Sequence, residues 1–229
     1  MTVFDFDFDG GDFDGLSLDA FEGGTEEFAP STEVGMWESA KEFARGIRVE
    51  PGLMTFGFVS GNFVFGDVLE AMCENGQVSV RNLTVHTLSL SQENIDSLAA
   101  VCDMCGTERV RMVASAYWYG HERGALAPYM LETLGAACGE LDIVYAATHA
   151  KIMSLETWRG NTVTIWGSAN LRSSANIEQL TVMSDRRLYD FVENVTEGIA
   201  ADFHAVNRHG GRVRPLRRGD AWRAASKEV

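Results

Sequence analysis

A chain of 229 residues is long enough for one sizeable α/β domain with a proper core, and short for two. Its hydrophobic and charged shares, 45% and 23%, are ordinary for a globular protein, and no apolar run approaches the ~20 residues that cross a bilayer. The formal charge of −14 argues against nonspecific coating of DNA, which depends on neutralising phosphates. The first residues are acidic and lack the basic start and apolar core of a secretory signal, so the expectation is a cytoplasmic protein with no membrane partner.

The segment from Met1 to about Glu33 is low in complexity and contains Phe4-Asp5-Phe6-Asp7-Phe8-Asp9. It holds ten acidic residues and no Lys or Arg. Its period of two would suit a strand, but self-repulsion, glycines and the want of a partner strand predict disorder over 1–33. Two roles stand open for it: a solubilising extension, or a segment that binds a partner protein or covers a basic groove. The folded domain is expected over 34–207, opening with a short amphipathic helix from Trp37 to Arg48.

Strands and helices then alternate. Leu53–Ser60 is a predicted strand, and Gly61-Asn62 opens a helix over about Phe63–Glu74 that Asn75-Gly76 ends. A strand over Val78–Thr87 leads to a helix capped by Ser91 and closed near Cys105-Gly106. Arg109–Ala116 is the third strand, and Glu122–Cys138 a helix with Pro128 marking a kink or an irregular start. Leu141–Ala147 is the fourth. Short connections between alternating elements predict a mixed, mostly parallel sheet flanked by helices. Ile177–Met183 supplies a last strand, and Asp185 to about Val206 a closing amphipathic helix. Residues 208–229 form an Arg-rich basic tail, a candidate contact for nucleic acid or for the acidic N-terminus.

The chemistry concentrates between Thr148 and Glu178. A turn-like hexapeptide, Thr157 to Thr162, separates His149-Ala150-Lys151 and its apolar run from Val163-Thr164-Ile165-Trp166. The expected product is a hairpin whose first strand carries His149 and Lys151 on one face and whose second delivers Ser168 and Asn170 at its far end. An imidazole beside an ammonium, a hydroxyl and a carboxamide suits a tetrahedral anion. The imidazole can attack phosphorus while the other three hydrogen-bond its oxygens. His121-Glu122-Arg123 follows the third strand at the end where parallel sheets hold ligands, so His121 and Arg123, with Asn176, are candidate substrate contacts. An exposed helix-start cluster is the other reading of 121–123.

His149, Lys151, an acidic residue at Glu156, Gly167-Ser168, Asn170 and the downstream Glu178 together resemble the HKD signature of the phospholipase D superfamily. The resemblance extends more weakly over residues 50–205, and it looks most like the small single-motif members of bacterial viruses and prophages. It implies a phospholipase D-like α/β fold with one motif per chain. It also implies a phosphohistidine on His149, with Lys151, Ser168 and Asn170 on the phosphate oxygens and no metal or cofactor. Members with one motif complete the site as a homodimer, and Glu178 would then orient the opposing imidazole. The chain departs from the pattern at Glu156, where the family has Asp, and in a longer spacer before Gly167.

The implied activity is a phosphodiesterase, acting on DNA or RNA rather than lipid. The alternative is a catalytically weak or inactive module that binds nucleic acid or a partner protein as a phage accessory or regulatory factor. Cys102 and Cys105 have metal or redox spacing, yet no second pair accompanies them, so Cys73, Cys102, Cys105 and Cys138 read as structural thiols.

Overall fold

Short runs of β-branched and aromatic residues, separated by amphipathic segments, give this chain nine strands and six helices among its described residues. The structure is a computed structural model that describes residues 31–60, 65–172, 176–202 and 204–207. The predicted charged tails therefore lie outside the described residues, apart from 31–33, and so does the Gly61-Asn62 helix opening.

In chain order the elements begin β1 (Ser31–Trp37), α1 (Ala40–Gly46), β2 (Leu53–Val59), α2 (Phe65–Glu74), β3 (Val80–Thr87) and α3 (Gln92–Cys105). They continue β4 (Arg109–Ser115), α4 (Ala116–Glu122), α5 (Leu126–Ala137) and β5 (Glu140–Ala146). The last are β6 (Ile152–Thr157), β7 (Thr162–Gly167), β8 (Glu178–Met183), α6 (Arg186–Asp202) and β9 (His204–Asn207). One sheet holds all nine strands in the order β1-β2-β8-β7-β6-β3-β4-β5-β9. β1, β2, β7, β3, β4 and β5 run one way and β8, β6 and β9 the other, so the sheet is mixed and mostly parallel in strand direction. Only β1–β2, β3–β4 and β4–β5 are parallel neighbours.

The two faces differ in kind. One carries the main core, where Phe43, Phe65, Leu69, Met72, Leu98 and Met130 from the helices close over Val85, Met112 and Ile143 of the strands. The other face is largely polar, and α6 crosses it over β5, β6 and β7. There Thr84, His86, Arg111, Ser154 and Thr164 are buried. His86 Nε2 lies 2.7 Å from Thr196 Oγ1, whose own hydroxyl donates to the Val192 carbonyl at 2.7 Å. That fixes the imidazole proton on Nε2. Arg109 and Arg111 both face Glu193, at 3.5 and 3.9 Å.

Several expectations are corrected. Residues 31–33, assigned to the disordered segment, begin the edge strand β1, which pairs in parallel with β2 along its whole length. The helix expected from Trp37 starts at Ala40, where a capping box sets its origin: Ser39 Oγ accepts from Glu42 N–H at 3.2 Å and Glu42 reaches back to Glu38 N–H at 3.1 Å. The helix expected over 122–138 is α5, which begins only at Leu126 and carries Pro128 in its first turn, while a separate helix, α4, precedes it over Ala116–Glu122. In a continuous helix Pro128 would forfeit a hydrogen bond; in a first turn its missing N–H costs nothing. Ser91 precedes α3 as expected, but its hydroxyl accepts from Asn94 Nδ2 rather than from a backbone N–H. The buried Asn94 turns its oxygen to Gly66 N–H at 2.9 Å and so ties α3 to α2. The closing helix ends at Asp202, short of Val206, and the chain adds β9 to the outside of β5.

The cysteines gather at the C-terminal ends of α2, α3 and α5. Cys105 Sγ is 3.7 Å from Cys73 Sγ, and burial pushes the Cys102 thiol up to about 12. No cluster of three or more His, Cys, Asp or Glu side chains suited to a metal occurs among the described residues. No helix among them is long and apolar enough to cross a membrane.

Candidate functional site

β3, β4, β5 and β7 point the same way, so the segments after Thr87, Ser115, Ala146 and Gly167 all leave the sheet at one edge. β6 and β8 run oppositely and enter there, at Ile152 and Glu178. This edge receives His149, Lys151, Ser168, Asn170 and Glu178 together.

His149 and Lys151 do not lie in a strand. They occupy the connection between β5 and β6, and β6 begins one residue later at Ile152. The hairpin with β7 is as expected, and Gly167 N–H still reaches the Lys151 carbonyl at 3.3 Å. The irregular backbone lets the lysine fold back: its Nζ lies 3.0 Å from His149 Nδ1 and donates to the His149 carbonyl at 3.0 Å. Desolvation lowers the Lys151 pKa from its ordinary value, against an opposing pull from the Glu178 carboxylate. An ammonium donating to Nδ1 leaves the proton of a neutral imidazole on Nε2.

Across the edge, Ser168 donates to Glu178 and accepts from Gln179 N–H at 2.9 Å. Its own N–H meets the Gln179 carbonyl at 3.0 Å, so β7 and β8 hold the hydroxyl against the carboxylate. That close approach explains the glycine before it. A Cβ on Gly167 would come within 2.0 Å of the Gln179 carbonyl oxygen. Asn170 is half-buried, and its Oδ1 has no hydrogen-bond partner among the described residues.

Sequence reasoning missed what positions Asn170. Leu171 bridges to Leu90: Ser91 N–H donates to the Leu171 carbonyl at 2.8 Å, and Leu171 N–H to Thr87 Oγ1 at 3.3 Å. The tail of β3 thus pins the loop after β7. The pairing joins positions more than eighty residues apart, which no local pattern announces.

His121 and Arg123 end α4, which leaves β4 toward the same edge, and both are exposed. His121 Nδ1 meets the Tyr117 carbonyl at 2.8 Å, and the ring packs on Tyr117 with centroids 4.4 Å apart. These contacts are within its own helix and none joins it to His149. Asn176 is exposed on the connection into β8.

Glu156 stands at the other end of β6, opposite Thr162. It accepts from Asn82 Nδ2 at 3.0 Å and pairs with Arg186 at 2.9 Å, joining β3, β6 and the start of α6. The Arg186 hydrogen bond, aided by Asn82, holds its pKa below the usual glutamate value. Glu156 therefore acts as a structural tie at the end of β6 away from His149 and Lys151. Glu156→Ala is expected to lower stability by about 1 kcal/mol, given the half-exposed arginine. A depressed folded pKa means this contribution is present above the ordinary glutamate value and lost as pH falls through the folded one. Chemical denaturation of both proteins at pH 7 and pH 3.5 checks both points.

No protein-family model matches the chain, and no curated protein sequence matches it. Among solved structures it is similar to Nuc from Salmonella typhimurium, a phospholipase D family member, at 12% identity and TM-score 0.48, over 67% of this chain and 98% of that one. It is also similar to polyphosphate kinase from Porphyromonas gingivalis, at 14% and 0.46, over 60% of this chain and 24% of that one. Phosphatidylserine synthase from Haemophilus influenzae gives 13% and 0.46, over 77% and 45%. Likenesses at this level assign no role to any residue.

Proposed function

We propose that this chain is a phosphodiesterase of the phospholipase D superfamily, cleaving nucleic acid in a homodimer through a phosphohistidine on His149. The observation that carries the reading is the meeting, at one sheet edge, of an exposed His149 touching Lys151 with a Ser168 hydroxyl set against Glu178. An imidazole, an ammonium and a hydroxyl on an open rim match a phosphodiester better than a neutral substrate.

In this reading Nε2 of His149 attacks phosphorus, a P–N bond forms and the P–O bond to the leaving group breaks. His149 of the partner subunit supplies the proton to the leaving oxygen, then takes one from the water that hydrolyses the phosphohistidine. Lys151, Ser168 and Asn170 hold the non-bridging oxygens as charge builds. The positive charge is supplied by side chains, so the scheme calls for no metal. Attack by Nε2 needs its lone pair free. Substrate must therefore draw Lys151 off Nδ1 onto the phosphate, and the imidazole proton must pass to Nδ1, where a carboxylate can hold it. Glu178, which in the isolated chain accepts from Ser168 and whose charge acts on Lys151, is the carboxylate proposed to hold that proton on the opposing subunit's imidazole.

The same contact favours a second reading. With Lys151 on Nδ1 and Ser168 on Glu178, the groups satisfy one another, as they would in a module that binds nucleic acid or a protein without cleaving. Incubation with single- and double-stranded DNA, RNA and a chromogenic phosphodiester, with and without chelator, separates the two. Chelator-resistant cleavage that is lost in His149→Ala supports the first. Binding without cleavage of any of the four supports the second.

A further inference from the structure

The sheet has one side that nothing in the described structure covers. β1 stands at the end of the strand order, and its outer edge has no strand beside it among the described residues. On the face away from α1, Val34 is 76% exposed, Met36 66% and Phe58 44%. Registry places Val34 beside Phe56 and Met36 beside Phe58, and the two phenylalanines pack edge to face at 5.7 Å. These four side chains form one apolar strip beside residues 34–36 of an edge that no described strand pairs. α6 lies over β5, β6 and β7, at the other part of the sheet. Both features are liabilities: an open edge invites pairing, and an apolar strip of this kind is uncommon on a lone soluble surface.

The sequence just before β1 carries a segment of matching form. Phe4-Asp5-Phe6-Asp7-Phe8-Asp9 alternates an aromatic with a carboxylate, so in an extended conformation one face is all phenylalanine and the other all aspartate. What the sequence lacked was a strand for it to pair with, and β1 is one. We propose that residues 3–9 add to the outer edge of β1 of the same chain as an antiparallel strand, laying Phe4, Phe6 and Phe8 beside Val34 and Met36 and leaving the aspartates in water.

The reach suffices. Gly10 to Pro30 is 21 residues, and a flexible chain of that length spans about 25 Å, against roughly 23 Å for seven residues of strand. The antiparallel sense returns the end of the segment toward Ser31, so the connection has slack. Glycines at 10, 11 and 15 suit its turn. Attraction between charges contributes little, because α1 and its flanks bring Glu38, Glu42 and Glu50 as well as Lys41, Arg45 and Arg48. This makes the proposal distinct from docking of the acidic tail on the Arg-rich C-terminus, which screening by salt would release. Backbone pairing and apolar contact instead survive salt, since screening relieves the repulsion among the aspartates.

Hydrogen exchange on the full-length chain tests it. The outward-facing amides of Val34 and Met36 should exchange at least about tenfold more slowly than in Phe4→Ser/Phe6→Ser/Phe8→Ser. Val34→Lys should release them equally, and the amides of α2 to α5 report whether either variant has altered the domain. The protection should persist in 0.5 M NaCl and be independent of protein concentration. Equal exchange in wild type and triple variant would overturn the proposal, as would protection lost in salt. Protection that rises with concentration would overturn it in favour of a second copy donating the strand. Nuclease activity does not enter these readouts.

Discussion

His149→Ala is expected to abolish phosphodiester cleavage, with a fall of at least about 10⁴ in turnover, because in the proposed reaction the residue is both nucleophile and, from the other subunit, proton donor. Ser168→Ala leaves the nucleophile in place and removes one donor to the phosphate oxygens, so it should cost about 10²–10³ and leave measurable activity. The larger consequence is for mixed assemblies. If each cleft needs two imidazoles, a dimer of one wild-type and one His149→Ala chain should be nearly inactive, where independent sites would keep about half of the activity. Co-expression with two different tags, purification of the mixed dimer and a single-turnover assay give the number. Half activity would exclude the shared cleft.

The second large effect is on stability and lies on the opposite face of the sheet. His86 is 3% exposed, and desolvation, with the Arg111 charge beside it, lowers its pKa to about 4 from an ordinary 6.5. The folded state thus keeps this imidazole neutral in a range where the unfolded chain protonates it. Below the ordinary value the unfolded state binds the extra proton, so stability falls as pH falls, until the folded state protonates too. The expected loss is about 2 kcal/mol between pH 7 and pH 5, and roughly 3 by pH 4. The groups facing His86 make relief difficult, since Thr196 already receives its Nε2 proton and Arg111 repels a second charge. His86→Gln should remove this slope, leaving the shallower one from the carboxylates. Urea denaturation of both proteins at pH 7 and pH 5 measures the difference. Parallel slopes would mean that His86 titrates normally.

The alternating element pattern was legible because it is local: the strand cores at 53–59, 80–87 and 109–115 and the hairpin at 152–167 carry short apolar runs rich in β-branched and aromatic residues, with turns or amphipathic helices between them. The candidate residues that the structure brings to one edge were legible as types and spacings for the same reason. Four things were not. β1 has Gly35 at its centre and reads as tail or helix start, because its strand character comes from pairing with β2; Gly35 and Gly57 have no Cβ so that Trp37 can lie over them. The backbone at His149 and Lys151 is irregular, a departure from period two that only the turn back of Lys151 reveals. The clamp of Leu171 between Thr87 and Ser91 is nonlocal. Buried polar residues under α6, Arg111 and His86 among them, also escape a pattern that looks for apolar faces.

The account rests on a covalent step at His149, and trapping that step tests it most directly. Wild-type protein is mixed in the presence of chelator with excess labelled phosphodiester, quenched in alkali to preserve a phosphoramidate, and digested for mass analysis. The prediction is a phosphoramidate adduct that keeps one ester arm of the substrate, on the peptide bearing His149, present in Ser168→Ala at a lower rate of formation and missing in His149→Ala. Cleavage without an adduct at His149, or cleavage that persists in His149→Ala, would contradict it.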